Sequence, residues 1–368
     1  MNRIIDFLKK EIVLSVSFVL ALISMFFVPP SEKYFDYIDF RTLGLLFSLM
    51  TIMAGLNKMG IFRLLAKNLL NKAKTMRGVT LLLVLLCFFS SMLITNDVAL
   101  ITFVPFSVVL LKLANKQNRM IFVVTLETIA ANLGSMLTPI GNPQNLYLFS
   151  AYNMSISDFF YTIAPYAMIS LGLLVIFSLF SDKSELANLG DREEVIFDKR
   201  LLTMYAVLFA IALLSVFRVL NYIVLLAVVI VFVLIFDRKV LLKVDYSLLF
   251  TFVFLFIFIG NLGNIAQINS WLSEIVGGNE VVVGVLASQV FSNVPAAILL
   301  SGFTCNAAAL MIGVNIGGLG TLIASMASLI SFKFIQKESV SIAKYLGVFT
   351  LLNVVFLAAN LALWVVVK

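Results

Sequence analysis

The chain is a succession of long apolar runs joined by short connections, and this decides its fold class. Runs such as 201–217, 221–236 and 246–264 follow one another almost without pause. The longest polar stretch, 181–200, is too short to bury a core of its own. With 62% hydrophobic and only 12% charged residues, and a mean hydropathy of +1.09, the sequence reads as an all-α polytopic membrane protein. Lacking a soluble domain, it is not expected to be an enzyme.

The chain has no His, the commonest proton carrier and metal ligand at neutral pH. Cys87 and Cys305, the two cysteines, are expected toward opposite membrane faces, which argues against a disulfide or a cysteine metal site. No cofactor is expected. The net charge of +7 sits in short loops, where it sets orientation rather than binding nucleic acid. The run Ile12 to Val28 ends in Val-Pro-Pro without a small-residue cleavage pattern and reads as a retained span.

Basic residues gather at Arg3, Lys9 and Lys10, in Lys58 to Arg77, in Lys112 to Arg119, in the linker, in Arg238 to Lys243 and in Lys333 to Lys344; these segments are expected in the cytoplasm. The connections 29–41, 151–158 and 265–280 are expected outside. Spans then fall at 12–28, 40–57, 119–150, 158–181, 201–217, 221–236, 246–264, 305–333 and 344–367. These nine spans put the N-terminus in and the C-terminus out, in the cell membrane. Two stretches, 79–112 and 280–304, begin and end on one side. The second is too short for two crossings and is expected to be a re-entrant hairpin. The first is assigned the same form by its likeness to the second.

That likeness is specific. Ser91-Met-Leu-Ile-Thr-Asn-Asp-Val-Ala-Leu100 matches Ser288-Gln-Val-Phe-Ser-Asn-Val-Pro-Ala-Ala297, and 132–145 aligns with 315–328. The chain therefore divides into a first repeat with an N-terminal span, 1–181, a cytoplasmic linker, 182–200, and a second repeat, 201–368. The repeats are expected to be inverted, a design found in many secondary transporters.

A hairpin tip at membrane depth leaves carbonyls at the end of one arm and N–H groups at the start of the next without helical partners. Carbonyl, Ser, Thr and Asn oxygens suit Na⁺; helix N-termini suit an anion. The segment Thr138-Pro-Ile-Gly-Asn-Pro-Gln-Asn145 cannot remain helical, and Pro143, capped by Asn142, can open a new half-helix. In the second repeat the break is expected at Gly313 to Gly320. Two carboxylates lie in apolar segments and are candidates for coupling: Asp97 at the first tip and Glu127 before the first break. Glu127 could alternatively face a cytoplasmic vestibule or pair with Arg119 or Lys112.

At Thr95-Asn96, Ser292-Asn293 and Thr138 to Asn145 the chain resembles the ion transporter superfamily. It is similar in particular to the divalent anion:sodium symporters, with the related arsenite exporters and D-type Na⁺/H⁺ antiporters. The resemblance implies a first cation site at Ser91, Thr95, Asn96 and the Gly141 backbone. It implies a second at Ser288, Asn293 and the backbones of Phe291 and Ala324. The substrate would lie between Asn96 and Asn293, near Asn142, Pro143 and Ser325. A homodimer and an elevator motion are also implied. The family's third motif residue is Thr, where this chain has Asp97 and Val294. Asn-Asp at this place is closer to the arsenite exporters and suggests proton coupling or a different anion.

The resulting expectation is a secondary active transporter of a small anion, an organic di- or tricarboxylate, coupled to Na⁺ or H⁺ in the lipid bilayer. A Na⁺/H⁺ antiporter or metalloid-anion exporter is the alternative, and an ion channel is the alternative of another class.

Overall fold

The computed structural model of the protein describes residues 11–60, 75–184 and 198–367. Arg3, Lys9 and Lys10, residues 61–74 of the second basic segment and residues 185–197 of the linker lie outside the described residues. The described chain is helical throughout, as apolar segments must be where no water can pair with the backbone. In order it forms α1 (Ile12–Phe27), the short α2 (Lys33–Tyr37), α3 (Phe40–Lys58), α4 (Met76–Ile94), α5 (Asn96–Leu113) and α6 (Met120–Ser135). There follow α7 (Pro143–Ala151), α8 (Ile156–Ser178), α9 (Lys199–Val216), α10 (Tyr222–Phe236), α11 (Tyr246–Gly263) and α12 (Ala266–Val276). The last are α13 (Glu280–Phe291), α14 (Asn293–Ser301), α15 (Ala307–Ile316), α16 (Met326–Ile335) and α17 (Ile342–Val367).

Polar caps set many of these starts. Asp39, Thr75, Ser155, Asp198, Asn221, Asp245 and Asn306 each accept a hydrogen bond from a backbone N–H of the first turn. Helix α12, within the connection expected over 265–280, was not anticipated; it meets α13 at 110°.

Among the described residues seven helices, α3, α4, α5, α8, α9, α11 and α17, are long and apolar enough to cross a membrane. The pair α4 and α5 thus differs from α13 and α14 in length: its arms of 19 and 18 residues each rise roughly 27–28 Å, against 12 and 9 residues in the second pair. Both pairs nevertheless double back. Thr304, just past α14, donates to Glu280 at the start of α13 at 2.9 Å. The outer ends of α4 and α5 converge on residues 181–184: Met76 N donates to Ser184 O, Arg77 Nε to Ser181 O, and Lys116 Nζ pairs with Asp182.

The remaining helices frame these pairs. Helix α1 packs along α11, and α9 and α10 pack against α3. The buried Tyr205 ring of α9 lies against Gly55 of α3, where a Cβ would come within 2.2 Å of it. Lys58 pairs with Asp237 at 2.7 Å, and the Tyr205 hydroxyl donates to the same carboxylate at 3.2 Å. The helix pairs α6/α7 and α15/α16 lie between, with α5 packed on α16 and α14 on α7.

Candidate functional site

The two tips share one backbone geometry. Thr95, between α4 and α5, has φ 70° and ψ 153°; Ser292, between α13 and α14, has φ 73° and ψ 153°. This combination is sparsely populated by residues other than glycine and costs on the order of 1–3 kcal/mol at each tip. It lets the chain stop one helix and start the next within a single residue.

Each tip is fastened to the break of its own half by matching contacts. Thr138 Oγ1 donates to Met92 O in a short hydrogen bond, and Thr321 Oγ1 donates to Gln289 O at 3.4 Å. Gly134 lets α4 approach so closely that a Cβ would come within 2.1 Å of Phe88 O and 2.7 Å of Ser91 Oγ. Gly317 does the same for α13, with Ser288 Oγ at 2.8 Å and Val285 Cα at 2.9 Å from the same ideal position. The likeness of the sequence segments thus extends to how they pack.

The breaks are also bonded to each other across the halves. Asn132 Oδ1 accepts from Ser325 Oγ at 3.0 Å and from Asn96 Nδ2 at 3.2 Å, and Asn132 Nδ2 reaches Ser328 Oγ at 3.4 Å. Asn315 Oδ1 accepts from Asn142 Nδ2 at 3.2 Å, and Asn315 Nδ2 donates to Asn145 Oδ1 at 2.6 Å. Asn142 also caps α7, accepting from Asn145 N at 2.9 Å.

Four helix N-termini converge where these contacts meet. The first residues of α5, α7, α14 and α16 line one narrow cavity with Asp97, Gln144, Val294, Ser325, Ala327 and Leu248 of α11. Its volume of ≈ 10 Å³ admits about one water. Carboxylate-sized solutes therefore enter only if these elements separate. Of the residues expected at the substrate, Asn96, Asp97, Pro143, Asn293, Val294 and Ser325 line the cavity, and Asn142 stands just behind it in the cross-half network.

The two tips differ in how far their asparagines are committed. Asn96 donates to Asn132, its Oδ1 accepts from Asp97 N at 3.0 Å, and its own N–H donates to Gly141 O at 3.1 Å. The Asn293 amide has no side-chain hydrogen bond among the described residues, although it is 97% buried, with 3% exposure. Asp97 Oδ1, Gln144 Oε1 and Ser292 Oγ are buried without a hydrogen-bond partner. Unpaired polar atoms are uncommon in interiors, and three of them stand at the tips and the cavity.

The residues expected at the two cation sites fall close to their own tips. Ser91 and Ser288 are buried and back-bond to Phe88 O at 2.9 Å and Gly284 O at 2.7 Å. Thr95 forms the first tip, the Gly141 carbonyl is already engaged by Asn96 N, and Ala324 is buried in the second break. Phe291 ends α13 and is 40% exposed, and its phenyl ring offers no oxygen, so its backbone is what can take part. Gln289 was not anticipated. Its amide donates to Gly317 O at 2.8 Å and Leu319 O at 2.9 Å, stitching the second break as Asn145 stitches the first through Met136 O at 2.9 Å.

Glu127 lies apart from the cavity. It is fully buried, Ser107 Oγ lies 2.5 Å from its Oε1, and Cys87 Sγ lies at 3.9 Å. Among the described residues Glu127 makes no ion pair with Arg119 or Lys112, and Lys112 pairs with Glu338 at 2.5 Å. Cys87 and Cys305 are both free. No cluster of three or more acidic or Cys side chains that would suit a metal ion occurs among the described residues.

Comparison with known proteins places this architecture. Residues 4–309 match the citrate transporter family. An uncharacterized transporter of Methanocaldococcus jannaschii is 32% identical over 350 residues, covering 94% of this chain and 95% of that protein. An inner membrane protein of Escherichia coli is 32% identical over 326 residues, covering 84% of this chain and 83% of its own. A silicon efflux transporter of Oryza sativa subsp. japonica is 33% identical over 156 residues, 41% of this chain and 31% of its own length. The chain is a multi-pass protein of the cell membrane, a transporter rather than an enzyme, and it belongs to the citrate transporter family.

Proposed function

We propose that the chain is a secondary active transporter that carries a small anion, of the di- or tricarboxylate class, through the cavity between Asn96 and Asn293. The observation that carries this reading is the convergence of four helix N-termini on one cavity. Each brings the positive end of its dipole to the cavity, so together they favour a negative guest. The helices that end there, α4, α6, α13 and α15, turn their last carbonyls toward the same region and suit the coupling cation, Na⁺ or H⁺.

The reciprocal contacts of the two halves support inverted repeats with hairpins α4/α5 and α13/α14 entering from opposite faces. Joined by Asn132 and Asn315, the hairpins and broken spans form one body. The framework of α1, α3, α9, α10 and α11 is the body against which it slides, in an elevator-like cycle. A second reading, export of a metalloid oxyacid, is favoured by Asp97, whose unpaired Oδ1 accepts rather than donates.

The test is a thermal-shift screen of the purified protein against citrate, succinate, phosphate, sulfate and arsenite, with and without Na⁺, because a ligand that binds only the folded state raises its stability. Asn293→Ala should abolish the shift and transport while leaving the ligand-free melting temperature unchanged, since its amide makes no side-chain hydrogen bond among the described residues. A shift retained in that variant sinks the site.

A further inference from the structure

The first half holds a second polar centre, away from the cavity. Glu127 of α6 meets Ser107 of α5 and Cys87 of α4, all three side chains fully buried. The geometry poses a counting problem. Ser107 Oγ lies 2.5 Å from Glu127 Oε1 and 3.0 Å from Phe103 O, two oxygens that both accept, yet a hydroxyl has one hydrogen. A protonated carboxyl accommodates both contacts with one hydrogen each. Glu127 then donates to Ser107 Oγ, and Ser107 donates to the Phe103 carbonyl. Without that proton, Ser107 must turn its hydrogen from Phe103 to the carboxylate.

Among the described residues no cation compensates the ionised form. Cys87 is the titratable group facing Glu127 from α4, and α5 offers Ser107. The charged residues of the other elements packed on α6 lie at their ends: Arg119 before it, Asp158 on α8, Lys333 on α16 and Lys344 on α17. Lys112 of α5 is held by Glu338, and no ion pair to Glu127 forms among the described residues. Glu127 Oε2 has no partner at all. The neighbouring Thr128 donates to Ser331 of the other half at 2.7 Å, and Asn132 lies roughly 7.5 Å further along α6, so the centre adjoins the cross-half network.

We propose that Glu127 is the proton-coupling site of the transporter. Its carboxylate takes up one proton and releases it once per cycle, and Ser107 is the hydroxyl that switches acceptor between the two states. Asp97, in contrast, belongs to the substrate cavity. This rests on the transporter reading, but the proton site can be judged without a known substrate.

In Cys305→Ser protein, Cys87 is the sole thiol, and its S–H stretch and the carboxylic C=O stretch can be followed by infrared spectroscopy from about pH 5 to pH 9. Both bands should change at one common pH, and both should become constant in the Cys305→Ser/Glu127→Gln double variant. Bands that do not move with pH, or that move equally in both proteins, overturn the proton site. In proteoliposomes given citrate or arsenite as probes, solute movement should be accompanied by proton movement, and Glu127→Gln should exchange solute without it. Solute transport without proton movement in the unsubstituted protein overturns the coupling. Failure of every probe to move counts against the substrate reading, while the infrared titration still decides the proton site.

Discussion

Asn132 of α6 and Asn315 of α15 occupy corresponding places in the two aligned segments, and each reaches across to the same two places in the other. Asn132 bonds Ser325 and Ser328; Asn315 bonds Asn142 and Asn145, which align with them. Each is a buried amide with its oxygen and nitrogen both engaged, so removing either leaves polar partners unpaired at about 1–3 kcal/mol. Asn132→Ala and Asn315→Ala should each lower the melting temperature of the purified protein. A double-mutant cycle of Asn132→Ala with Ser325→Ala should show a coupling of at least about 0.5 kcal/mol. Strict additivity would mean that the halves are not joined through this bond.

The tips predict a trade of stability against function. Thr95 and Ser292 hold a conformation that glycine adopts freely. Ser292→Gly should therefore relieve backbone strain by about 1 kcal/mol or more, less the added entropy of an unfolded glycine. The variant should melt at or above the temperature of the parent while transporting less, because the tip no longer holds Asn293 in one orientation. A large loss of stability in Ser292→Gly would show that the Ser292 side chain, and not the backbone, sets the tip.

Close packing at the glycines gives a sharper contrast. At Gly134 a Cβ would lie 2.1 Å from the Phe88 carbonyl, whereas at Gly172 of α8 it would meet nothing within 4 Å. Gly172→Ala should be neutral or stabilise by up to about 1 kcal/mol through helix propensity. Gly134→Ala must push α4 away from α6 and should cost several times that, by the overpacking range of about 1–3 kcal/mol or more. Gly317→Ala is expected to follow Gly134→Ala. Folded yields and melting curves of the three variants, measured side by side, provide the check.

Much of this was legible in the sequence, because hydrocarbon allows few solutions. Apolar length marked α3, α8, α9, α11 and α17 as spans, and the polar motifs at Ser91 to Asp97 and Ser288 to Val294 marked the neighbourhood of both tips. Asn132 and Asn315 stood in plain view at the head of the aligned segments. Their partners are nearly two hundred residues away, and no local pattern states which side chain an amide will meet. Gln289 stayed hidden for a related reason: its counterpart is Met92, so the repeat itself gave no hint of a polar role. The placement of Glu127 against Ser107 and Cys87 depends on how α4 and α5 rotate against α6, which periodicity alone does not fix. The long arms of α4 and α5 show where likeness misleads, since matching tips do not require matching lengths.

The framework predicts an asymmetry within one ion pair. The Asp237 side chain is 5% exposed and the Lys58 side chain 43%. Removing the lysine strands a buried carboxylate whose remaining side-chain partner among the described residues is the Tyr205 hydroxyl, whereas removing the carboxylate leaves a lysine that can turn to solvent. Lys58→Met should therefore destabilise the protein more than Asp237→Asn, which keeps an oxygen for Tyr205. A full buried pair broken on one side costs about 3–5 kcal/mol, and the exposure of Lys58 reduces this to about 1–2 kcal/mol for Lys58→Met. Raising salt should weaken the parent slightly and leave Asp237→Asn unaffected. Equal melting temperatures for the two variants would mean that Asp237 is solvated, and that packing of Tyr205 on Gly55, rather than this pair, holds α9 and α10 to α3.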